Sequence, residues 1–309
     1  MRVKEVNSGR RRVFLIASVF ACAIAVFALF RPEDALVRVQ RWNGDAARRE
    51  APARSQVSVR SEAPARRVIL ISIDGFAARL LERAELPAIR RLMAEGVAAE
   101  RAVTVLPSKT LPAHASMLSG VPPSEHGITS NQYDPQLKWE QRNLYTLCRE
   151  HALRCGLFGA KDKLLVLVEN EPGCEQYEIH ESAADVFKAA AAYIKDRDPD
   201  FVMIHLAEVD LVGHDIGWDS PKQVRALKKI DRLLGKFLPR LQAASERPLA
   251  VILTADHGGH GKNHGTDSPE DMRIPWILWG AKLAGRTKIE QFSLAETAPI
   301  IRELLEVVE

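Results

Sequence analysis

Three short apolar runs in this chain each lead into an acidic residue, and that repeated ending restricts the fold more than any other feature. Residues 67–73 (Arg-Val-Ile-Leu-Ile-Ser-Ile) run into Asp74 and Gly75, and residues 200–206 are followed by Asp210 and His214. Residues 249–254 open onto Ala255-Asp256-His257-Gly258-Gly259-His260-Gly261-Lys262-Asn263-His264-Gly265. Short, β-branched and without alternation, these runs suit strands buried on both faces of a parallel sheet. Residues 155–159 and 274–279 predict two more strands, the second nearer an edge because Pro275 cannot donate to a ladder. A helix is predicted from about Ala77 to Glu95, interrupted near Pro87 and stopped at Gly96. Amphipathic segments follow at 139–151, 182–197, 220–244 and 293–308. Ser220-Pro221 places a cap before a first-turn proline, and Ser293 with Glu296 has the spacing of a capping box. Strands alternating with helices predict an α/β fold, a mostly parallel central sheet with helices on both faces, whose site lies at the carboxyl ends of the strands.

The amino-terminal fifth has a different character. Arg10-Arg11-Arg12 precedes residues 13–30, which carry no charge, and Arg31-Pro32-Glu33-Asp34 ends the run. This pattern predicts a transmembrane signal-anchor at 13–30 behind a cytoplasmic basic segment at 1–12. A cleaved signal peptide is the rival reading, but the run is longer than the usual apolar core of one. Residues 31–66, rich in Ala, Arg and Pro, predict a flexible tether, and the catalytic domain then occupies 67–309, periplasmic or extracellular. Residues 1–66 hold 13 Lys and Arg against 6 Asp and Glu, whereas the remainder holds 30 against 34. A mildly acidic folded part without clustered Lys and Arg argues against a nucleic-acid surface. No feature points to a protein partner. Of four cysteines, Cys22 lies in the anchor segment; Cys148, Cys155 and Cys174 allow one disulfide and one thiol in an exporting compartment, or three small buried residues.

The chemistry concentrates at the predicted strand ends. Neighbouring strand side chains point to opposite faces, so Asp256 and His257 reach one ion only if the chain turns, which Gly258 and Gly259 permit. Carboxylate oxygens and imidazole nitrogens suit zinc, and less well manganese or iron. Asp210 and His214, four apart, share one side of a helical turn, although such a pair also serves as a surface pair or cap. In Lys109-Thr110-Leu111-Pro112, the proline predicts a helix beginning near Thr110 and ending by Gly120. Backbone N–H groups at that terminus favour a phosphoryl oxygen or a deprotonating hydroxyl. With no base beside Thr110 in sequence, activation requires a metal; otherwise Thr110 merely caps the helix.

Ile73-Asp74-Gly75-Phe76, Pro107-Ser108-Lys109-Thr110, Ser124-Glu125-His126-Gly127-Ile128 with Asn131, Asp210 with His214, Asp256-His257-Gly258 and His264-Gly265 occur in one order. As a set they resemble the nucleotide pyrophosphatase/phosphodiesterase (type I phosphodiesterase) family of the alkaline-phosphatase superfamily, from about Val68 to the last helix. The resemblance implies two Zn2+ per chain. Asp210, His214 and His264 would hold one; Asp74, Asp256 and His257 would hold the other, with Thr110 as the metal-bound nucleophile and Asn131 donating to a phosphoryl oxygen. The implied activity is hydrolysis of a small-molecule phosphodiester or pyrophosphate through a phosphothreonine intermediate. Alternatives on the same site are a phosphomonoesterase or a phospholipid-headgroup phosphotransferase, and, in another class, a catalytically silent metal-binding domain. His114, His126 and His260 match no ligand position, and Lys109 either adds charge or is solvated. Leu111 stands where nucleotide-cleaving members carry an aromatic residue, and Tyr133, Trp139 and Tyr145 are candidates for shaping a leaving-group pocket, or for core.

Overall fold

The computed structural model describes residues 67–132, 139–280 and 288–307. The predicted anchor at 13–30, the tether at 31–66 and Tyr133 lie outside the described residues. Among those described, no helix is long and apolar enough to cross a membrane.

In chain order the elements are β1 (Arg67–Ile73), α1 (Leu80–Arg83), α2 (Pro87–Glu95), β2 (Val97–Val103), α3 (Thr110–Ser119), α4 (Pro123–His126), α5 (Leu144–Glu150) and β3 (Cys155–Gly159). There follow β4 (Gln176–Ile179), α6 (Ala183–Arg197), β5 (Phe201–Leu206), α7 (Glu208–Ile216), α8 (Pro221–Ala244) and β6 (Leu249–Thr254). The chain closes with α9 (Pro269–Met272), β7 (Arg273–Ile274), β8 (Trp276–Trp279), β9 (Lys288–Ser293) and α10 (Thr297–Leu304). The helix starts follow their sequence signals: Ser220 Oγ accepts from the Gln223 N–H, and Ser293 and Glu296 form a reciprocal capping box.

One sheet runs β4-β3-β5-β1-β6-β8-β2-β7, with β9 beside β2. From β4 to β6 every neighbouring pair is parallel; β8 is antiparallel to both β6 and β2, so the sheet is mostly parallel, as expected. Strands β1, β3, β5 and β6 are buried along their whole length, which is why they read as unbroken apolar runs. Their register sets the site. Ser72 pairs with His205 on one side and with Thr254 on the other, so the three central strands end at one level and deliver Asp74, α7 and Asp256 to the same edge.

The strand at 274–279 departs from its prediction. Its longer part, β8, lies between β6 and β2, whereas β7 pairs β2 alone at the end of the strand order; Pro275 falls in the break between the two and owes the ladder no N–H, and its carbonyl accepts from Thr254 Oγ1 at 2.8 Å. The helix expected over 77–95 is split into α1 and α2, with Pro87 opening the second piece. Strands β2, β4 and β9 had no sequence prediction; their mixed burial gives no continuous apolar run in β2 or β4. Cys148 and Cys155 form a disulfide joining α5 to β3, and Cys174 is a buried thiol.

Candidate metal centre

Helix α3 begins at Thr110, in the first turn, and is buried along its whole length until Gly120 ends it with φ 83°. Its amino terminus faces the carboxyl edge of the central strands. Thr110 Oγ1 lies 3.5 Å from His257 Nε2 and is wholly buried. The resemblance-derived residues therefore meet in space, although they span almost 200 positions in the chain.

Three carboxylates reach this point with one oxygen satisfied and one bare. Asp256 Oδ1 accepts from the Gly75 N–H at 3.1 Å and from the His257 N–H at 3.0 Å. Asp74 Oδ2 accepts from His205 Nε2 at 2.9 Å and lies 2.6 Å from Lys161 Nζ; Asp210 Oδ2 accepts from the same ammonium at 2.6 Å. The opposite oxygens, Asp74 Oδ1, Asp210 Oδ1 and Asp256 Oδ2, are buried and unpartnered. Stranding three such oxygens costs folding free energy unless something else satisfies them.

The imidazoles complete the pattern. His257 Nδ1 donates to the Gly258 carbonyl at 2.8 Å, His264 Nδ1 to Ser108 at 2.8 Å and His214 Nδ1 to Lys262 at 2.9 Å. With Nδ1 fixed as the donor, each Nε2 turns its lone pair inward. His257 Nε2 is 3.4 Å from both Asp74 Oδ1 and Asp256 Oδ2. The Nε2 atoms of His214 and His264 lie 3.4 and 3.8 Å from Asp210 Oδ1. Bare oxygens and bare nitrogens facing one another suit divalent cations of the zinc type. Asp74, Asp256 and His257 form one compact donor group. Asp210 and His264 form another, which also includes the shared His257, while the more exposed His214 approaches Asp210 from the solvent side. His114, His205 and Asp256 also lie close together, but both nitrogens of each imidazole are engaged. His114 bonds Thr110 O at 2.7 Å and Ser72 Oγ at 2.9 Å, and His205 bonds Asp74 and the Ala160 N–H. That cluster supports Thr110 and Asp74 rather than offering another cation site.

Electrostatics follow from burial and charge crowding. Burial and the adjacent Asp74 push the Asp256 carboxyl up to about 6. Burial also works against an ionised Asp74, but Lys161 and the His205 hydrogen bond override it and hold this carboxyl well below its usual range. Burial opposes the charged form of His257, yet Asp256, Asp74 and Asp210 raise it; burial, aided by His257, lowers His264 to about 4. A divalent cation bound here would favour the deprotonated carboxylates and the neutral imidazoles, so its binding is linked to proton release.

The turn after β6 depends on its glycines for room rather than for left-handed backbone. Gly258 and Gly259 do not take left-handed backbone angles. They allow close approach: a Cβ on Gly258 would collide with the Glu270 carbonyl oxygen, and one on Gly259 with the Trp218 ring. Trp218 in turn stacks edge-on against His214 and donates its Nε1–H to the Gly75 carbonyl at 3.1 Å. Asn131 Oδ1 accepts from the Leu111 N–H at 2.8 Å, which leaves the amide NH2 as its donor end beside the start of α3. Leu111 is fully buried in the core and offers no stacking surface; Tyr145, equally buried, packs against Phe201. His126 bonds Ser116 Oγ at 2.9 Å and His260 bonds Asp271 at 2.7 Å, both away from the donor groups.

Three residues at the centre escaped sequence reading. Lys161 follows β3, Trp218 follows α7, and His205 is the single imidazole inside an otherwise apolar strand. Only His205 carried a usable signal, since a titratable side chain in a fully buried strand needs a partner.

Comparison with known proteins bears on family and fold. Residues 68–147 and 161–270 match the family described as "Type I phosphodiesterase / nucleotide pyrophosphatase". The chain is 26% identical over 215 residues to human ectonucleotide pyrophosphatase/phosphodiesterase family member 1, which takes in 62% of this chain and 23% of that protein. It is 29% identical over 214 residues to the bis(5'-adenosyl)-triphosphatase enpp4 of Xenopus laevis, covering 62% of this chain and 47% of the relative. The match thus spans from about a quarter to about half the length of these relatives. Among solved structures, the murine ectonucleotide pyrophosphatase/phosphodiesterase 5, an inactive variant in complex with AMP, superimposes with a TM-score of 0.67 at 17% identity. That superposition covers 79% of this chain and 96% of the other, and shows a shared, alkaline-phosphatase-like fold.

Proposed function

Because this chain belongs to the type I phosphodiesterase/nucleotide pyrophosphatase family, we propose that it hydrolyses phosphodiesters or pyrophosphates at the centre formed by Asp74, Thr110, Asp210, His214, Asp256, His257 and His264. The observation that carries this reading is the set of three bare carboxylate oxygens facing three Nε2 lone pairs beside a buried threonine hydroxyl. Two zinc ions, one held by Asp210, His214 and His264 and one by Asp74, Asp256 and His257, would lower the hydroxyl pKa and neutralise phosphoryl oxygens. Thr110 Oγ would give its proton to solvent and attack phosphorus; the Thr110 Oγ–P bond forms as the P–O bond to the leaving group breaks, and the leaving oxygen departs with that electron pair and takes a proton from solvent. Water subsequently cleaves the phosphothreonine, returning the hydroxyl. Asn131 donates its amide N–H to a non-bridging oxygen, and the amino terminus of α3 favours the negative charge there.

Charge balance favours a diester over a monoester. Three carboxylates, two divalent ions and the Lys161 ammonium leave a formal charge of plus two, which a threonine alkoxide and a diester monoanion cancel. A dianionic monoester would leave one negative charge uncompensated in a buried site. Lys161 is committed to Asp74 and Asp210, so the monoesterase alternative would need Lys109. The buried Leu111 also weighs against base stacking after the nucleophile, and so against a nucleotide preference. Paired aryl phosphodiester and phosphomonoester substrates are expected to give the larger kcat/KM for the diester. A larger value for the monoester would overturn the preference.

We also propose that residues 13–30 anchor the domain outside the cytoplasmic membrane through the tether at 31–66. Their uncharged run behind Arg10-Arg11-Arg12 supports this. The full chain expressed in a bacterium should sediment with membranes, resist carbonate extraction and keep its original amino terminus. A soluble product with a new terminus would show cleavage instead.

A further inference from the structure

Lys161 stands just past the carboxyl end of β3, and its Nζ lies 2.6 Å from Asp74 Oδ2 and 2.6 Å from Asp210 Oδ2. Its side chain is 12% exposed, so a flexible, strongly hydrated ammonium has been brought into an almost dry site. The two carboxylates it touches fall in different donor groups, one with Asp256 and His257, the other with His264. In each of them Lys161 engages Oδ2, and the other oxygen, Oδ1, is the bare one. His205 adds a second donor to Asp74 Oδ2, and the Ala160 N–H fixes the His205 ring from behind.

We propose that Lys161 is a positioning residue that ties the two ion sites together, fixing which oxygen of Asp74 and of Asp210 is presented to each cation. The inference rests on the two-ion reading given above. A plainer role is that Lys161 only compensates three crowded carboxylates. Compensation is not what holds the ions in the substrate-free site, because their four positive charges already exceed the three negative ones. The ammonium would then only repel the incoming ions. A geometric role persists in the loaded site, since a carboxylate held through one oxygen presents the other in a single direction and cannot swing to a bidentate or outward pose.

The two roles predict opposite signs for zinc affinity, which makes zinc binding the decisive measurement. Metal-depleted full-length protein is titrated calorimetrically with zinc chloride as wild type, Lys161→Met and Lys161→Arg. Wild type is expected to bind two ions. Lys161→Met, which keeps the length and loses both donors, is expected to bind at least one of them about tenfold or more weakly, the usual scale for losing a partner of a metal ligand. Lys161→Arg keeps the charge with a different donor geometry and should fall between the two. Equal or tighter binding in Lys161→Met would overturn the proposal and leave Lys161 as a counter-ion. Should Lys161→Met fail to fold, Lys161→Arg decides: weaker binding than wild type supports positioning, and wild-type or tighter binding overturns it. Wild-type protein that binds no zinc would instead defeat the two-ion reading itself.

Discussion

Replacing Thr110 by alanine is expected to lower phosphodiester turnover by about four orders of magnitude or more, the scale seen when a covalent nucleophile is removed. Thr110 Oγ1 is the only hydroxyl within hydrogen-bonding range of His257 Nε2 among the described residues, and it occupies the first turn of α3. The loss should appear in kcat, because the hydroxyl contributes to the bond-forming step rather than to ground-state binding. Fold and most zinc content should survive, since His114 holds the Thr110 carbonyl and not its side chain. Thr110→Ser, which keeps the hydroxyl, should retain a measurable fraction. Trapping a ³²P-labelled protein from labelled diester in the wild type but not in Thr110→Ala would identify the intermediate. Full activity in Thr110→Ala would remove Thr110 from the mechanism.

The second large effect is expected on stripping the metal. Chelation should abolish hydrolysis and lower the melting temperature by about 5–10 °C, because a cation present at a hundred times its dissociation constant contributes about 2.7 kcal/mol to a domain of this size. Re-addition of zinc should restore both. The structural cause is the set of buried, unpartnered oxygens on Asp74, Asp210 and Asp256. The pH dependence has a definite sign. In the metal-free protein the Asp256 carboxyl is raised to about 6 by burial and by Asp74, so it carries a proton below that pH and must release it before binding. Apparent zinc affinity should therefore fall as pH drops from 7 to 5, with protons released on binding. Protein that keeps its activity and melting temperature after exhaustive chelation, with metal content verified as zero, would defeat the metal-dependent reading.

The layout of the site was legible in the sequence wherever chemistry and chain direction coincide. Asp74 and Asp256 end apolar strands, and a parallel sheet with its ends in register brings such residues to one edge regardless of their separation in sequence. Asp210 and His214 were readable as a pair through helical spacing, and Thr110 through Pro112 and the terminating Gly120. The weaknesses are equally specific. Pro275 suggested an edge strand because a proline lacks a ladder donor, but nothing local says that the strand breaks at that residue and resumes at Trp276. Gly258 and Gly259 were readable as permitting a turn, but nothing local says that the room they leave is filled by Glu270 and Trp218.

By itself, then, the sequence determined the strand-ending carboxylates, the helix that starts at Thr110, the mostly parallel sheet and the family, because each depends on residues near one another in the chain. Only the tertiary structure decided which oxygen of each carboxylate is bare, that all three imidazoles point Nε2 inward, and that Lys161 and His205 hold Asp74 from behind. Apart from the bonds of His257 to its neighbours Asp256 and Gly258, those features arise between residues 48 to 181 positions apart. Their orientation is set by strand register and by backbone carbonyls of other loops, neither of which leaves a periodic mark on the sequence that supplies the side chain.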